Sequence, residues 1–136
     1  MQISLPDGWQ DRTFYTYVGP EDNGVLHTLT LVVEPDSGID DLEVYARSHF
    51  DDRIASLQGV DVLKDEEKTL PNGTPVYEFV YKWMPDENTM LLQKLVYMLV
   101  GETGYCFMAN FSRKTIKTVG LQVDQIIASF VPPEPD

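Results

Sequence analysis

Hydrophobic and polar residues alternate along much of this chain. Six segments rich in Val, Thr, Tyr, Phe and Leu have this period of two, and turn-forming Pro, Gly, Asp and Asn residues separate them. Because successive side chains of a strand point to opposite faces of a sheet, the pattern predicts six β-strands, the last three joined as antiparallel hairpins. The predicted strands are residues 12–18, 25–33, 60–69, 75–84, 89–100 and 104–112.

Two other segments have the period of an α-helix. Apolar residues recur every three or four positions over residues 40–58 and again over residues 114–130, which predicts two amphipathic helices. Asp40 and Glu43 have the spacing of a capping box, which predicts the start of the first helix. The order of strands and helices predicts an α+β fold, an antiparallel β-sheet packed by two main helices, in a single domain over residues 1–136.

The strand predicted at residues 25–33 has two different faces. One face is apolar and suits a helix-covered core, whereas the other carries Thr28, Thr30 and Val32. The strand at residues 89–100 is largely apolar on both faces, yet two helices supply enough apolar surface to cover about one face. We therefore expect one face to stay open and to bind another molecule. The alternative is that the helices lie on opposite faces and leave nothing exposed.

Composition excludes some classes of function. The 136 residues include 22 acidic and 10 basic ones, for a formal charge of -12, and the basic residues are scattered. A charge of this sign repels phosphate backbones, so we expect no nucleic-acid partner. The N-terminal residues lack the pattern of a signal peptide and no segment is apolar enough to span a membrane, so we expect a cytoplasmic protein with no membrane insertion.

Residues suited to catalysis or metal binding are few. One cysteine, Cys106, with His27 and His49 is too short a list for a structural zinc site. Cys106 is predicted to be a buried small apolar residue and His49 a boundary residue of the first helix. Trp9 and Trp83 are predicted to be core anchors, with an interface as the alternative for Trp83. No motif of a known catalytic or nucleotide site occurs, so we expect no enzyme activity, cofactor or metal.

Four short motifs occur along the chain, namely Leu5-Pro-Asp-Gly-Trp9-Gln-Asp11, Val44-Tyr45-Ala46, Tyr81-Lys-Trp83 and Met90-Leu-Leu-Gln93. In their order and spacing they resemble the DcrB-like family and, within it, the Eag chaperones of type VI secretion. The resemblance implies a PsbP-like α/β sandwich and a homodimer. It also implies a chaperone that binds the N-terminal transmembrane segments of secreted effector proteins.

The resemblance also implies a set of binding residues. The family's ligand-binding sheet face corresponds here to Phe14, Thr16, Thr28, Thr30, Val32 and Gln93. The leading hypothesis is therefore an adaptor chaperone that shields an apolar helical segment of an effector on an open sheet face, without a cofactor. One alternative is a general protein-interaction module of the same fold. Another is a hydrolase or lyase that uses acidic residues in a cleft.

Overall fold

The computed structural model describes residues 4–9, 13–22 and 25–133 of the chain. In chain order, its elements are β1 (Thr13–Asp22), β2 (Val25–Glu34), α1 (Leu42–Ile54), β3 (Asp61–Thr69), β4 (Pro75–Asp86), β5 (Thr89–Val100), β6 (Thr103–Phe111) and α2 (Val119–Ser129). The six strands form one antiparallel sheet in the spatial order β1-β2-β6-β5-β4-β3. This confirms the predicted α+β fold. Residue 12, the predicted start of the first strand, lies outside the described residues.

Helix α1 begins one residue later than the capping-box spacing predicted. Asp41 rather than Asp40 is the N-cap, because its carboxylate accepts a hydrogen bond from the backbone N–H of Val44 at 2.9 Å. The helix also ends earlier than predicted, at Ile54, where a turn follows in which the N–H of Leu57 donates to the carbonyl of Ile54 at 3.0 Å. The apolar periodicity therefore predicted the helix correctly, but the last turn of the predicted range is not helical.

Helix α2 begins at Val119, five residues after its predicted start. The preceding turns are stabilised by Ser112 and Thr115, each of whose hydroxyls accepts a hydrogen bond from the other residue's backbone N–H, at 3.0 and 3.2 Å. Such side-chain bonds satisfy backbone donors that a helix would otherwise use. The local alternative therefore replaces the first turn of the predicted helix.

The two helices lie on opposite faces of the sheet, here called the α1 face and the α2 face. Helix α2 buries Val119, Val123 and Ile127 against the α2 face. That core also contains Leu29, Leu31, Leu70, Val76, Leu92, Val96, Met98, Tyr105, Phe107, Ala109 and Phe111. The expectation that both helices cover one face is wrong, and the helices lie on opposite faces, as in the alternative. The other part of that alternative, that nothing stays exposed, does not hold, because α1 has an apolar stripe wide enough for only part of its face.

Helix α1 packs on the α1 face through an aromatic core. Phe50 stacks on Phe79 with ring centroids 3.9 Å apart and planes 4° apart. The helix comes close to the sheet at Gly104, where a methyl group would overlap the ring of Tyr45. The buried residues of this core are Tyr45, Ala46, Phe50, Tyr77, Phe79, Tyr81, Leu95 and Tyr97.

The two tryptophans have different environments. Trp9 is 71% exposed, so its prediction as a core anchor was wrong. It lies in a turn before β1 in which its backbone N–H donates to the carbonyl of Pro6 at 3.2 Å. It is not part of either helix-covered core. Trp83 is half-buried and packs at the margin of the aromatic core. Its indole therefore contributes both to the aromatic core and to an open cavity beside α1.

Candidate functional site

Helix α1 covers only part of the α1 face. It packs mainly against β4 and β5, while β6, β2 and β1 extend the same face beyond it. The space between the helix and β1 is an open cavity of about 600 Å³, here called the trough. Its lining is Phe14, Val32, Glu34, Tyr45, His49, Asp52, Arg53, Ser56, Leu57, Trp83, Tyr97, Cys106 and Met108.

Strand pairing places the predicted binding residues of β1 and β2 together. Phe14 pairs with Val32, Thr16 with Thr30, and Val18 with Thr28, so these side chains share one face. It is the α1 face, because Val32 pairs with Cys106 and Thr30 with Met108, which pack at the edge of the aromatic core. Phe14 is 61% exposed and Thr28, Thr30 and Val32 are half-buried. The part of the face that carries these five residues is therefore not covered by either helix.

The sixth predicted residue, Gln93, shares the face but lies under the end of α1. Its side-chain oxygen accepts hydrogen bonds from the Tyr81 hydroxyl and, at 2.8 Å, from Nε of Arg53. Its amide nitrogen donates to Oδ1 of Asn110 at 3.0 Å. Because Gln93 is buried and these groups occupy its amide, it joins α1 to the sheet in this structure. Its role in binding a client stays a prediction.

The sequence reasoning missed most of the residues that form the walls of the trough. His49, Asp52 and Arg53 come from one side of α1, at spacings of three and four residues, and Ser56 comes from the turn that follows the helix. Cys106 and Met108 come from β6, where alternation alone shows that they share a face. The missing signal was which strands become neighbours, and this depends on contacts between residues far apart in sequence.

One end of the trough is closed by a pair of side chains from α1 and β2. Nε2 of His49 lies 3.3 Å from Oε2 of Glu34, and the imidazole stacks against Tyr97 with ring centroids 6.2 Å apart. His49 is therefore a boundary residue of α1, as predicted, and it also connects the helix to the uncovered part of the sheet.

The trough contains a thiol in an apolar setting. Cys106 is half-buried, and burial raises the pKa of its thiol to about 12. Burial likewise raises the pKa of Tyr97, which also lines the trough. Both groups are therefore neutral at neutral pH, and a protonated thiol is a poor nucleophile. These side chains supply a weakly polar surface rather than a reactive group.

The described residues show neither a metal-binding cluster nor a helix that could span a membrane. Residues 4–9, 13–22 and 25–133 contain no cluster of three or more His, Cys, Asp or Glu side chains that could hold a metal ion. In the same part of the chain, neither helix has the length and apolar character needed to cross a bilayer.

Two solved structures share this fold at low sequence identity. PA94 from Pseudomonas aeruginosa, described as a protein of unknown function and a candidate regulator, has a TM-score of 0.75 at 16% identity, with 98% of this chain and 92% of that chain covered. The cyanobacterial PsbP protein CyanoP from Synechocystis sp. PCC 6803 has a TM-score of 0.60 at 9% identity, with 98% and 99% covered. At these identities the likeness shows the fold, which is PsbP-like as predicted.

The sequence comparisons are more specific about ancestry. No curated protein matches this chain. The sequence model of the DcrB family matches residues 1–129, which is nearly the whole chain. The match agrees with the resemblance carried by the motifs near the N-terminus and in α1, β4 and β5, and the chain therefore belongs to the DcrB family.

Proposed function

We propose that this protein is a cytoplasmic adaptor chaperone that shields an apolar helical segment of a type VI secretion effector in the trough. The observation that supports the proposal is the uncovered part of the α1 face, where Phe14 and Val32 lie beside the half-buried Cys106 and Met108. A monomeric protein rarely exposes a connected apolar surface of this kind without a partner. The Eag-type role itself comes from the resemblance of the sequence motifs.

The dimensions of the uncovered part of the α1 face, of which the trough is one section, suit one helix. Thr28 and Glu34 lie six residues apart on β2, which corresponds to about 20 Å along the strand. A helix of about 14 residues has the same length, and its diameter of about 10 Å matches the width of two to three neighbouring strands. A longer transmembrane segment would extend beyond one end. The uncovered part of the face therefore fits the central turns of one such helix.

The floor of the uncovered α1 face, next to the residues that line the trough, also offers polar contacts. Thr16, Thr28 and Thr30 carry hydroxyls that can donate and accept hydrogen bonds among apolar neighbours. Apolar helices that associate in membranes commonly carry Ser, Thr or small residues at their contacts. A mixed floor can therefore bind such a segment while leaving few of its polar groups unsatisfied.

The proposal includes a second copy of the chain as a partner. Strand β1 is an edge of the sheet, and its side chains Phe14, Tyr15, Tyr17 and Val18 are exposed. The opposite edge strand, β3, instead carries several charged residues. Exposed apolar edges pair readily, whereas charged edges resist pairing. The β1 edge is thus the proposed dimer surface, and Tyr17→Lys should shift the mass measured by light scattering from dimer to monomer.

The test of the chaperone role is solubility of a client. A reporter fused to about 20 apolar residues, long enough to span a bilayer, is co-expressed with this protein, and the soluble fraction of the reporter is measured. We expect a severalfold rise, which Thr30→Glu combined with Val32→Glu should abolish because two carboxylates cannot be buried against an apolar helix. Leu63→Glu on β3 is the matched control, since this exposed side chain lies on the opposite edge strand.

The same experiment separates the proposal from its alternative. A reporter fused to an amphipathic helix of a water-soluble protein should gain nothing from co-expression. Equal binding of both helices would favour a general protein-interaction module on the same fold. No gain with either reporter would contradict the chaperone role.

A further inference from the structure

Arg53 lines the trough but has no carboxylate partner. Its Nε donates to Gln93 at 2.8 Å and to the hydroxyl of Tyr81 at 3.3 Å, and it makes no ion pair within the described part of the chain. Arg113, Lys114 and Lys117 also make no ion pair among the described residues, but Arg53 is the one of these four that lines the trough. The Nη groups of the guanidinium are left to donate to a bound molecule.

A second donor lies near Arg53. The indole Nε1–H of Trp83 has no hydrogen-bond acceptor among the described residues, although the atom is buried. Trp83 also lines the trough and lies two residues beyond Tyr81 on β4, next to the tyrosine that Arg53 contacts. An unsatisfied buried donor is costly, and an acceptor from a ligand at this end of the trough would offset that cost.

The opposite end of the trough carries the opposite charge. Helix α1 contacts the sheet near Gly104 through Tyr45 and ends above Gln93. The helix therefore runs along the strands, from the start of β6 toward its end. Glu34 pairs with Gly104, whereas Gln93 pairs with Asn110 at the far end of β6. The carboxylate of Glu34 and the guanidinium of Arg53 are therefore separated along the trough by about six strand residues, or roughly 20 Å.

The ends of an α-helix also differ in charge. The last backbone carbonyls lack intrahelical partners and carry partial negative charge, and the first N–H groups carry partial positive charge. Building on the function proposed above, we infer that the trough binds its helical client in one direction. The C-terminal end of the client lies at Arg53 and Trp83, and its N-terminal end lies at Glu34.

Two nearby features act against binding of the client's C-terminal end at Arg53. Arg53 belongs to the last turn of α1, where a cation also stabilises the helix's own C-terminal end. Asp52 lines the trough one residue away, and it is exposed and makes no ion pair in the described part of the chain. The test must therefore measure the preference of the ligand for one direction, since a role of Arg53 confined to α1 would not change that preference.

The experiment uses the purified full chain and one 14-residue apolar helical peptide with a central fluorophore. One form has an acetyl cap and a C-terminal amide, a second has a free C-terminal carboxylate, and a third has an N-terminal succinyl cap with an amide. Binding is measured by anisotropy at low salt. The C-terminal carboxylate should strengthen binding about tenfold or more, as expected for one charge-assisted hydrogen bond, and the succinyl group should not.

Substitutions then assign the preference to Arg53. Arg53→Gln should remove the gain from the C-terminal carboxylate, and Asp52→Asn, the matched control, should keep or enlarge it. Stronger binding of the succinyl peptide, equal binding of all three peptides, or an undiminished gain in Arg53→Gln would overturn the inferred direction while leaving the chaperone role intact. If none of the peptides binds, both proposals fail.

Discussion

The two faces of the sheet are built from the same strands but end in different states. On the α2 face, apolar residues from β2, β4, β5 and β6 form one buried layer with helix α2. On the α1 face, the aromatic core lies over β4 and β5, and the surface carried by β6, β2 and β1 continues beyond the helix. One face is therefore mostly closed by its own chain, and the other is closed over only half of its width.

This difference shows that apolar content does not decide which surface is free. Leu31 and Val32 are neighbours on β2 with similar hydrophobicity, yet Leu31 is buried in the α2-face core and Val32 lines the trough. The position of the covering helix decides the outcome. An open apolar surface is thus a property of packing, and substitutions at covered and uncovered positions should differ in their effect on stability.

The greatest change in stability is expected from one of two phenylalanines on the α1 face, Phe50 and Phe14. Phe50→Ala removes the ring that stacks on Phe79 and should lower the free energy of unfolding by about 3–5 kcal/mol through lost burial and a residual cavity. Phe14→Ala, on the uncovered strand, should change it by less than about 0.5 kcal/mol. Chemical denaturation measures both. A large loss from Phe14→Ala would mean that β1 is part of the closed core.

The second prediction concerns a buried carboxylate on the α2 face. Glu78 is fully buried, with Nζ of Lys68 at 2.6 Å, Lys64 at 3.0 Å and Lys94 at 3.7 Å, and Lys94 also reaches Asp124 of α2 at 2.5 Å. Glu78→Gln leaves these ammonium groups short of a buried countercharge. We expect the free energy of unfolding to fall by about 2–3 kcal/mol.

The same carboxylate predicts a pH dependence. Burial alone would raise the pKa of Glu78, but hydrogen bonds from Lys68 and Lys64 together with the charge of Lys94 bring that pKa below its usual range. A carboxyl with a lower pKa in the folded state stabilises the protein above its unfolded pKa of about 4.3, and this stabilisation is lost as the pH falls through the folded pKa. Denaturation between pH 7 and pH 3 should show a weaker pH dependence in Glu78→Gln than in the unchanged protein. An equal dependence would assign the acid sensitivity to other carboxylates.

The smallest expected effect tests how α1 is attached on the side away from the trough. Arg47 binds Asp65 of β3 through two hydrogen bonds of 2.7 and 2.9 Å, and the pKa of Asp65 is lowered chiefly by the hydrogen bond from Arg47. Both side chains are about one-third exposed, so screening limits the pair to about 0.5–1 kcal/mol. A double-mutant cycle with Arg47→Met and Asp65→Asn should give this coupling, and 0.5 M salt should reduce it. A coupling insensitive to salt would show that the pair is shielded from solvent.

Much of the fold could be predicted because the signals for it are local. The alternation around Thr28, Thr30 and Val32 correctly separated the two faces of β2, and the period of three to four correctly located both helices. Errors arose where short-range hydrogen bonds replaced the expected ones. Asp41 caps α1 instead of Asp40, and the paired hydroxyls of Ser112 and Thr115 delay the start of α2.

The candidate site was less predictable because it is assembled from distant parts of the chain. The six residues inferred from the family resemblance do share one face, but Gln93 lies beneath α1 and Arg53, whereas the other five lie on uncovered strands. No local pattern marks Arg53 or Trp83 as part of the same trough. Their proximity follows from where α1 ends above β4 and β5.

Periodicity and family motifs lie along the chain, so the eight elements, the two faces of β2 and membership of the DcrB family could be predicted without coordinates. The placement of the helices on opposite faces, with half of one face left open, became visible in the folded structure alone. That choice depends on long-range fit: Gly104 lets Tyr45 approach the sheet, and Phe50 stacks on Phe79. These contacts hold α1 over β4, β5 and the start of β6, and they leave the α1 face of β1, β2 and the rest of β6 uncovered.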